Sequence, residues 1–167
     1  MGTKKSRTWR LTWFLLAAWL IIGLDRVAKL LVLANLQPGQ SVSVWGDLLR
    51  FVLVFNDSAA FSLGFGITWI FTIISSLAAL GILWLAPKLE TTGWAIIGGV
   101  ALGGVVGNLI DRLTRPPGFG VGHVIDFISI PFNFPIFNIA DMAIVGVACA
   151  VVIRVFRGHK IGKAPTN

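Results

Sequence analysis

Apolar residues fall in four long blocks along this chain, near 12–34, 67–86, 94–111 and 138–156. Each is long enough, or nearly so, to cross about 30 Å of hydrocarbon at ~1.5 Å rise per residue. Backbone groups in lipid have no water to bond, so each block must satisfy its own N–H and C=O groups and is predicted to be a helix. Pro87 and the stretch Lys88-Leu89-Glu90-Thr91-Thr92-Gly93 make a polar turn between the second and third blocks. Within the third block, Gly99, Gly103 and Gly107 are spaced by four. They share one helix face and predict close contact with a neighbouring helix. The segments 35–66 and 112–137 are less apolar. In the first, Gln37-Pro38-Gly39-Gln40 is a turn signal, Ser41-Val42-Ser43-Val44 alternates, and Arg50 to Phe55 is rich in β-formers, which predicts short strands. There is no internal repeat and no low-complexity segment.

Composition moves this picture into the bilayer. Of 167 residues, 56% are hydrophobic and 13% charged, against about 25% charged in an ordinary soluble domain. Mean hydropathy is +0.84. The expectation is one integral membrane domain over 1–167. The net charge of +7 does not indicate nucleic-acid binding, because the positives sit in two terminal clusters: Lys4, Lys5, Arg7 and Arg10, then Arg154, Arg157, Lys160 and Lys163. Such clusters mark cytoplasmic flanks of membrane helices. Their partners are anionic lipid headgroups, at roughly 1 kcal/mol per residue. Both termini are therefore expected in the cytoplasm, which agrees with four spans and puts 35–66 and 112–137 outside. The basic N-terminus followed by Trp13 to Leu24 mimics a signal peptide, but no small-x-small cleavage site follows it, so it is expected to be a retained first helix. The single cysteine, Cys149, lies in an apolar run and is expected to be a small buried hydrophobe. With no cysteine near the N-terminus, the chain is not expected to be a lipoprotein precursor itself.

Charged side chains inside membrane helices cost about +2.5 to +3.5 kcal/mol each, so those present either pair or work. Asp25 and Lys29 are four apart in the first block and can neutralise each other. Asp25 lies ~18 Å beyond Trp13 by helical rise, in the outer half of the bilayer. The pair either fixes helix packing or orients a substrate. Asn108 and Arg112 repeat the spacing at the outer end of the third block. Arg112 is either an interfacial anchor or the holder of a carboxylate or phosphate. Asp111 beside it is expected to be solvated. Asn138 and Asp141 share a face at the start of the fourth block, and Asp126 sits in the outer loop between Val124-Ile125 and Phe127-Ile128, an apolar setting for a carboxylate. The topology places all of these at one depth, which unrelated structural charges have no reason to do.

No serine stands in a nucleophile-elbow context and no histidine pair has metal-ligand spacing. His123 is expected to be an ordinary hydrogen-bonder, His159 a solvated tail residue, and Gly118 to Gly122 a flexible stretch. What remains is carboxylate chemistry. Two close carboxyls in a low-dielectric site split into one protonated and one ionised member, which supplies an acid and a base at neutral pH without metal or cofactor.

Five segments then carry a resemblance: Asp25-Arg26-Val27-Ala28-Lys29, Asn56-Asp57-Ser58-Ala59-Ala60-Phe61, Gly107-Asn108-Leu109-Ile110-Asp111-Arg112, Val124-Ile125-Asp126-Phe127 and Phe137-Asn138-Ile139-Ala140-Asp141. In this order they resemble lipoprotein signal peptidase (signal peptidase II) along nearly the whole chain. The resemblance implies an all-α membrane protein of four transmembrane helices with a small extracytoplasmic β-cradle. It implies a monomeric aspartic endopeptidase in the bacterial inner membrane that cleaves diacylglyceryl-modified prolipoproteins before the lipidated cysteine and is blocked by the cyclic peptide globomycin. By matching positions, Asp126 and Asp141 are the catalytic dyad. Asn56, Asn108, Arg112 and Asn138 line the site, and Asp25 and Lys29 are a structural polar pair nearby. Arg26 stands where the family usually has glutamine, Ser58 where it usually has glycine, and the loop from Leu113 to Gly122 is long. The competing reading is a small proton- or ion-coupled transporter, since intramembrane charges also mark ion paths. Clustering of the charges at one side and the lack of an inverted repeat speak against it.

Overall fold

The computed structural model describes residues 2–57 and 68–159, with side chains from Ser6 onward. Ser58 and the rest of its segment through Phe61, the side chains of Lys4 and Lys5, and Lys160 and Lys163 lie outside the described residues. Four helices form the bundle: α1 (Gly2–Asn35), α2 (Thr68–Leu85), α3 (Thr92–Thr114) and α4 (Ile139–Phe156). Strands β1 (Ser41–Trp45), β2 (Leu49–Asn56) and β3 (Val124–Ser129) make one antiparallel sheet in the order β1-β2-β3.

Thr68–Lys88, Thr92–Thr114 and Ile139–Phe156 are long and apolar enough to cross a membrane by length and composition. The fourth helix, α1, has 34 residues, and Leu15, Leu16, Trp19, Leu20, Leu24, Leu30 and Leu31 face outward along it. Polarity is inverted relative to a soluble domain: large apolar side chains cover the outside, while Asp25, Lys29, Asp111, Arg112, Asp126 and Asn138 are buried. Cys149 follows the same logic and corrects its expectation. It is exposed, as an apolar side chain facing lipid has no need of protein cover.

Helix α3 is the central element, packing against α1, α2 and α4. Its glycines make this possible. A Cβ at Gly99 would strike the carbonyl oxygen of Phe14, and one at Gly103 would lie 2.8 Å from that of Ala18. The spacing-by-four pattern therefore builds the α1–α3 contact, as the sequence predicts. Phe14, Ala18, Ala95 and Leu102 fill the interior beside it.

The sheet sits where α1 and α3 finish and where α2 and α4 begin. The described start of α1, the end of α4 and the short 3₁₀ turn Ala86–Lys88 sit at the opposite end. Val32 of α1 packs with Leu53, Ile125 and Phe127 and anchors the sheet to the bundle. The first two strands fall where alternation and β-formers place them. The third is a correction, because Asp126 lies on a strand and not in a loop. Val124-Ile125-Asp126-Phe127-Ile128 has strong strand formers, but a carboxylate in its middle hides the pattern. The strand forms because β2 offers a free edge: Asn56 pairs with Val124 and Val54 with Asp126.

Candidate active site

Two segments converge at the sheet end. From β3 the chain turns back so that the backbone N–H groups of Phe127 and Ile128 both donate to the carbonyl of Phe137, at 3.0 and 2.8 Å. This sets Asn138 beside Asp126. Asn138 is extended (φ −131°, ψ −176°) and is the N-cap of α4. Its Oδ1 accepts from the Asp141 N–H at 3.0 Å, and its own N–H donates to Asp141 Oδ2 at 3.1 Å. This reciprocal box satisfies two helix-end donors and puts a carboxylate at the positive end of α4.

The asparagines then tie the two carboxylates together. Asn138 Nδ2 donates to Asp126 Oδ1 at 2.6 Å and to Asn108 Oδ1 at 3.1 Å. Asn108 Nδ2 donates to Asp141 Oδ1 at 2.7 Å. Asn56, at the end of β2, donates to Asp126 Oδ2 at 2.6 Å. All four carboxylate oxygens of the pair therefore accept a hydrogen bond. Asn138 is fully buried and Asp126 is 3% exposed. Burial pushes the Asp126 carboxyl up to about 6, helped by the charge of Asp141 and opposed by the bonds from Asn56 and Asn138. A group so placed exchanges its proton near neutrality, as an acid or base must.

Beneath the asparagines lies a buried charge cluster. The Lys29 ammonium donates to Asn108 Oδ1 at 3.0 Å and sits 2.7 Å from both Asp25 Oδ2 and Asp111 Oδ2. Asp25 Oδ1 accepts from the Ala140 N–H at 3.1 Å, which joins α1 to the first turn of α4. Asp111 is the second correction. It is fully buried, not solvated, and its Oδ1 accepts from Arg26 at 2.6 Å and Arg115 at 2.5 Å. The Asp25–Lys29 pair is thus part of a five-residue cluster. Sequence reasoning missed Arg26 and Arg115 as members. The four-residue spacing of Asp111 and Arg115 was an available signal for Arg115, whereas the Arg26 contact is long-range.

These groups open into a cavity of about 960 Å³. Asn56, Asn108, Arg112, Asp126 and Asp141 form its polar side, and Ile130, Phe134, Pro135, Ile136, Met142 and Val145 form its apolar side. Arg112 is no snorkelling anchor. It is 7% exposed, its guanidinium stacks over Phe71 at 5.3 Å, and one terminal N–H nitrogen is buried with no hydrogen-bond partner among the described residues.

A sequence model of the family described as Signal peptidase (SPase) II matches residues 17–157, which include every residue of this site. The chain belongs to the signal peptidase II family. The lipoprotein signal peptidase of Leifsonia xyli subsp. xyli is 54% identical over 123 residues, covering 73% of this chain and 56% of that protein. The chain thus spans little more than half of that relative's length. The lipoprotein signal peptidase of Mycobacterium tuberculosis is 43% identical over 144 residues, covering 86% of this chain and 71% of that protein. A solved structure described as a bacterial membrane enzyme superposes with a TM-score of 0.78 at 24% identity, over 92% of this chain and 93% of its own. That likeness shows a shared fold.

For this signal peptidase II chain, the structure brings together seven of the eight site residues read from sequence through direct contacts: Asn56, Asn108, Asp126, Asn138, Asp141, Asp25 and Lys29. Arg112 joins them across the cavity. Arg26 serves the charge cluster rather than the cavity. The long loop before β3 is fastened by the Gly122 N–H donating to the Arg112 carbonyl at 3.0 Å and by Thr72 donating to the Gly120 carbonyl at 2.7 Å.

Proposed function

We propose that this chain is an aspartic endopeptidase that removes signal peptides from diacylglyceryl-modified prolipoproteins, with Asp126 and Asp141 as its catalytic pair. The observation that carries this reading is the asparagine bridge, which fixes two carboxylates from different elements at the wall of a half-apolar cavity. Asp126, with its raised affinity for a proton, is the acid. Asp141 is the base. Asp141 takes a proton from water while the water oxygen attacks the carbonyl carbon, and Asp126 donates its proton to the carbonyl oxygen. The tetrahedral adduct collapses as a proton passes to the amide nitrogen. The C–N bond then breaks, releasing the amine of the lipidated cysteine and a signal peptide with a new carboxylate. The unpartnered N–H of Arg112 is placed to hold a substrate carbonyl or that carboxylate by charge-assisted bonds.

Cleavage next to a lipid anchor requires a site at membrane level. The described chain ends lie at the end of the bundle opposite the dyad, which fits cytoplasmic termini and a site near the outer face of the bacterial inner membrane. Membrane lipid and prolipoprotein are the partners of this reading, the enzyme acts as a monomer, and globomycin competes for the cavity. A transporter is not favoured, since the buried charges among the described residues gather near one end of the bundle.

The test is cleavage of a diacylglyceryl prolipoprotein by purified protein in lipid, beside Asp126→Asn and Asp141→Asn variants that fold. Cleavage by the parent and loss in both variants is the expected result. A folded variant with near-parental activity removes that aspartate from the dyad, and a parent that never cleaves removes the peptidase reading.

A further inference from the structure

Among the described residues, nothing packs close against Gly146. It lies in the second turn of α4, where glycine is a poor helix former. The α3 glycines are explained by backbone or side chains pressed against them, but a Cβ built on Gly146 meets no atom of the described residues within 4 Å. It is nevertheless part of the cavity wall, next to Met142 and Val145. Five residues after Asp141, it lies ~7.5 Å further along the helix axis, away from the sheet end. Met142 and Val145 are both exposed, so a shallow apolar channel leaves the dyad along the lipid-facing side of α4, with a notch where Gly146 lacks a side chain.

We propose that this channel seats one acyl chain of the substrate's lipidated cysteine, and that Gly146 sets the bulk of hydrocarbon it accepts. The inference rests on the prolipoprotein reading. In that substrate the lipid is carried by the residue directly after the scissile bond, so its hydrocarbon starts within one residue of the dyad and must run toward the membrane interior. The cavity walls Phe134, Pro135 and Ile136 precede α4 at the sheet end, the α3 wall is polar (Asn108 and Arg112), and among the described residues the α4 wall carries the apolar lining in the required direction. A channel continuous with the catalytic cavity and apolar from its first residue, Met142, provides that path. A methyl at position 146 would enter open space and begin to fill the notch.

The experiment compares synthetic lipopeptides with dipalmitoyl and dibutanoyl chains, cleaved by the parent and by Gly146→Leu in one detergent. The quantity read is the ratio of KM for the long-chain to the short-chain substrate. The proposal expects Gly146→Leu to raise this ratio by about tenfold or more, with Gly146→Ala between. A ratio within about twofold of the parental one overturns it. So does an equal rise in both KM values, which would assign the channel to the signal-peptide helix. If neither lipopeptide is cleaved by the parent, the peptidase reading fails first, and that result is distinct from an unchanged ratio. A second measurement needs no variant: a lipopeptide with a diazirine midway along one acyl chain is photolysed on the parent. Crosslinks within 142–149 support the channel, and crosslinks confined to other helices sink it.

Discussion

Asn138 Nδ2 donates to Asp126 Oδ1 across 2.6 Å, while the backbone of the same asparagine is locked to Asp141 by the N-terminal box of α4. One residue therefore starts a helix and sets the distance between two carboxylates, so stability and catalysis can be separated by the choice of substitution.

Asn138→Ser keeps a good N-cap but loses the amide that donates to Asp126. Melting in detergent should stay near parental, while kcat falls on the order of 10²–10³-fold, the scale of losing one preorganised donor. Asn138→Ala should lose both, with about 1 kcal/mol of helix-cap stability gone as well. An Asn138→Ser enzyme with parental kcat would show that the bridge only caps the helix.

The pH profile identifies the acid. With the Asp126 carboxyl raised to about 6 and required protonated, kcat/KM should fall about tenfold per pH unit above that pH. A profile that instead rises through the same pH makes Asp126 the base. Stability moves in the same window. Because the folded state holds the proton more tightly than the unfolded one, this group's contribution is fully present below the ordinary carboxylate pKa near 3.8. It is lost as pH rises through about 6. Asp126→Asn should therefore show a smaller fall in melting temperature than the parent between about pH 4 and 7.

Lys29 compensates Asp25 and part of Asp111 in a fully buried cluster. Lys29→Met strands Asp25 without a cation and should cost about 3–5 kcal/mol, read as lost folded yield. Adding Asp25→Asn removes the stranded charge, and Asp111 keeps Arg26 and Arg115. The double variant should therefore recover yield over Lys29→Met alone. No recovery would mean that Asp25 is not the group Lys29 neutralises.

Gly99 and Gly146 make an opposed pair. Gly99→Ala places a methyl against the Phe14 carbonyl, which should lower stability by about 1–3 kcal/mol through overpacking. Gly146→Ala meets open space and should melt no lower than the parent. Equal effects at both positions would contradict the α1–α3 contact.

The sequence by itself determined the number of helices, the α1–α3 contact and the two strands of the hairpin. These follow from local patterns: apolar length against membrane thickness, glycines repeating on one helix face, and alternation along a strand. It also pointed to eight residues that the fold gathers around or beneath the cavity, because five ordered segments resemble one family. It did not determine what surrounds each charge. Asp111 and Asp126 sit in unlike sequence neighbourhoods, yet both are buried. One is neutralised by cations from α1 and from the C-cap of α3, and the other is held by asparagines from β2 and the start of α4. Strand β3 likewise needed β2 as its partner, and of the two readings the sequence left open for Arg112, interfacial anchor or site residue, the fold selects the second by setting it in the cavity wall. A carboxylate's burial and proton affinity depend on groups up to 115 residues away in sequence. Only the tertiary fold brings those groups within hydrogen-bond reach.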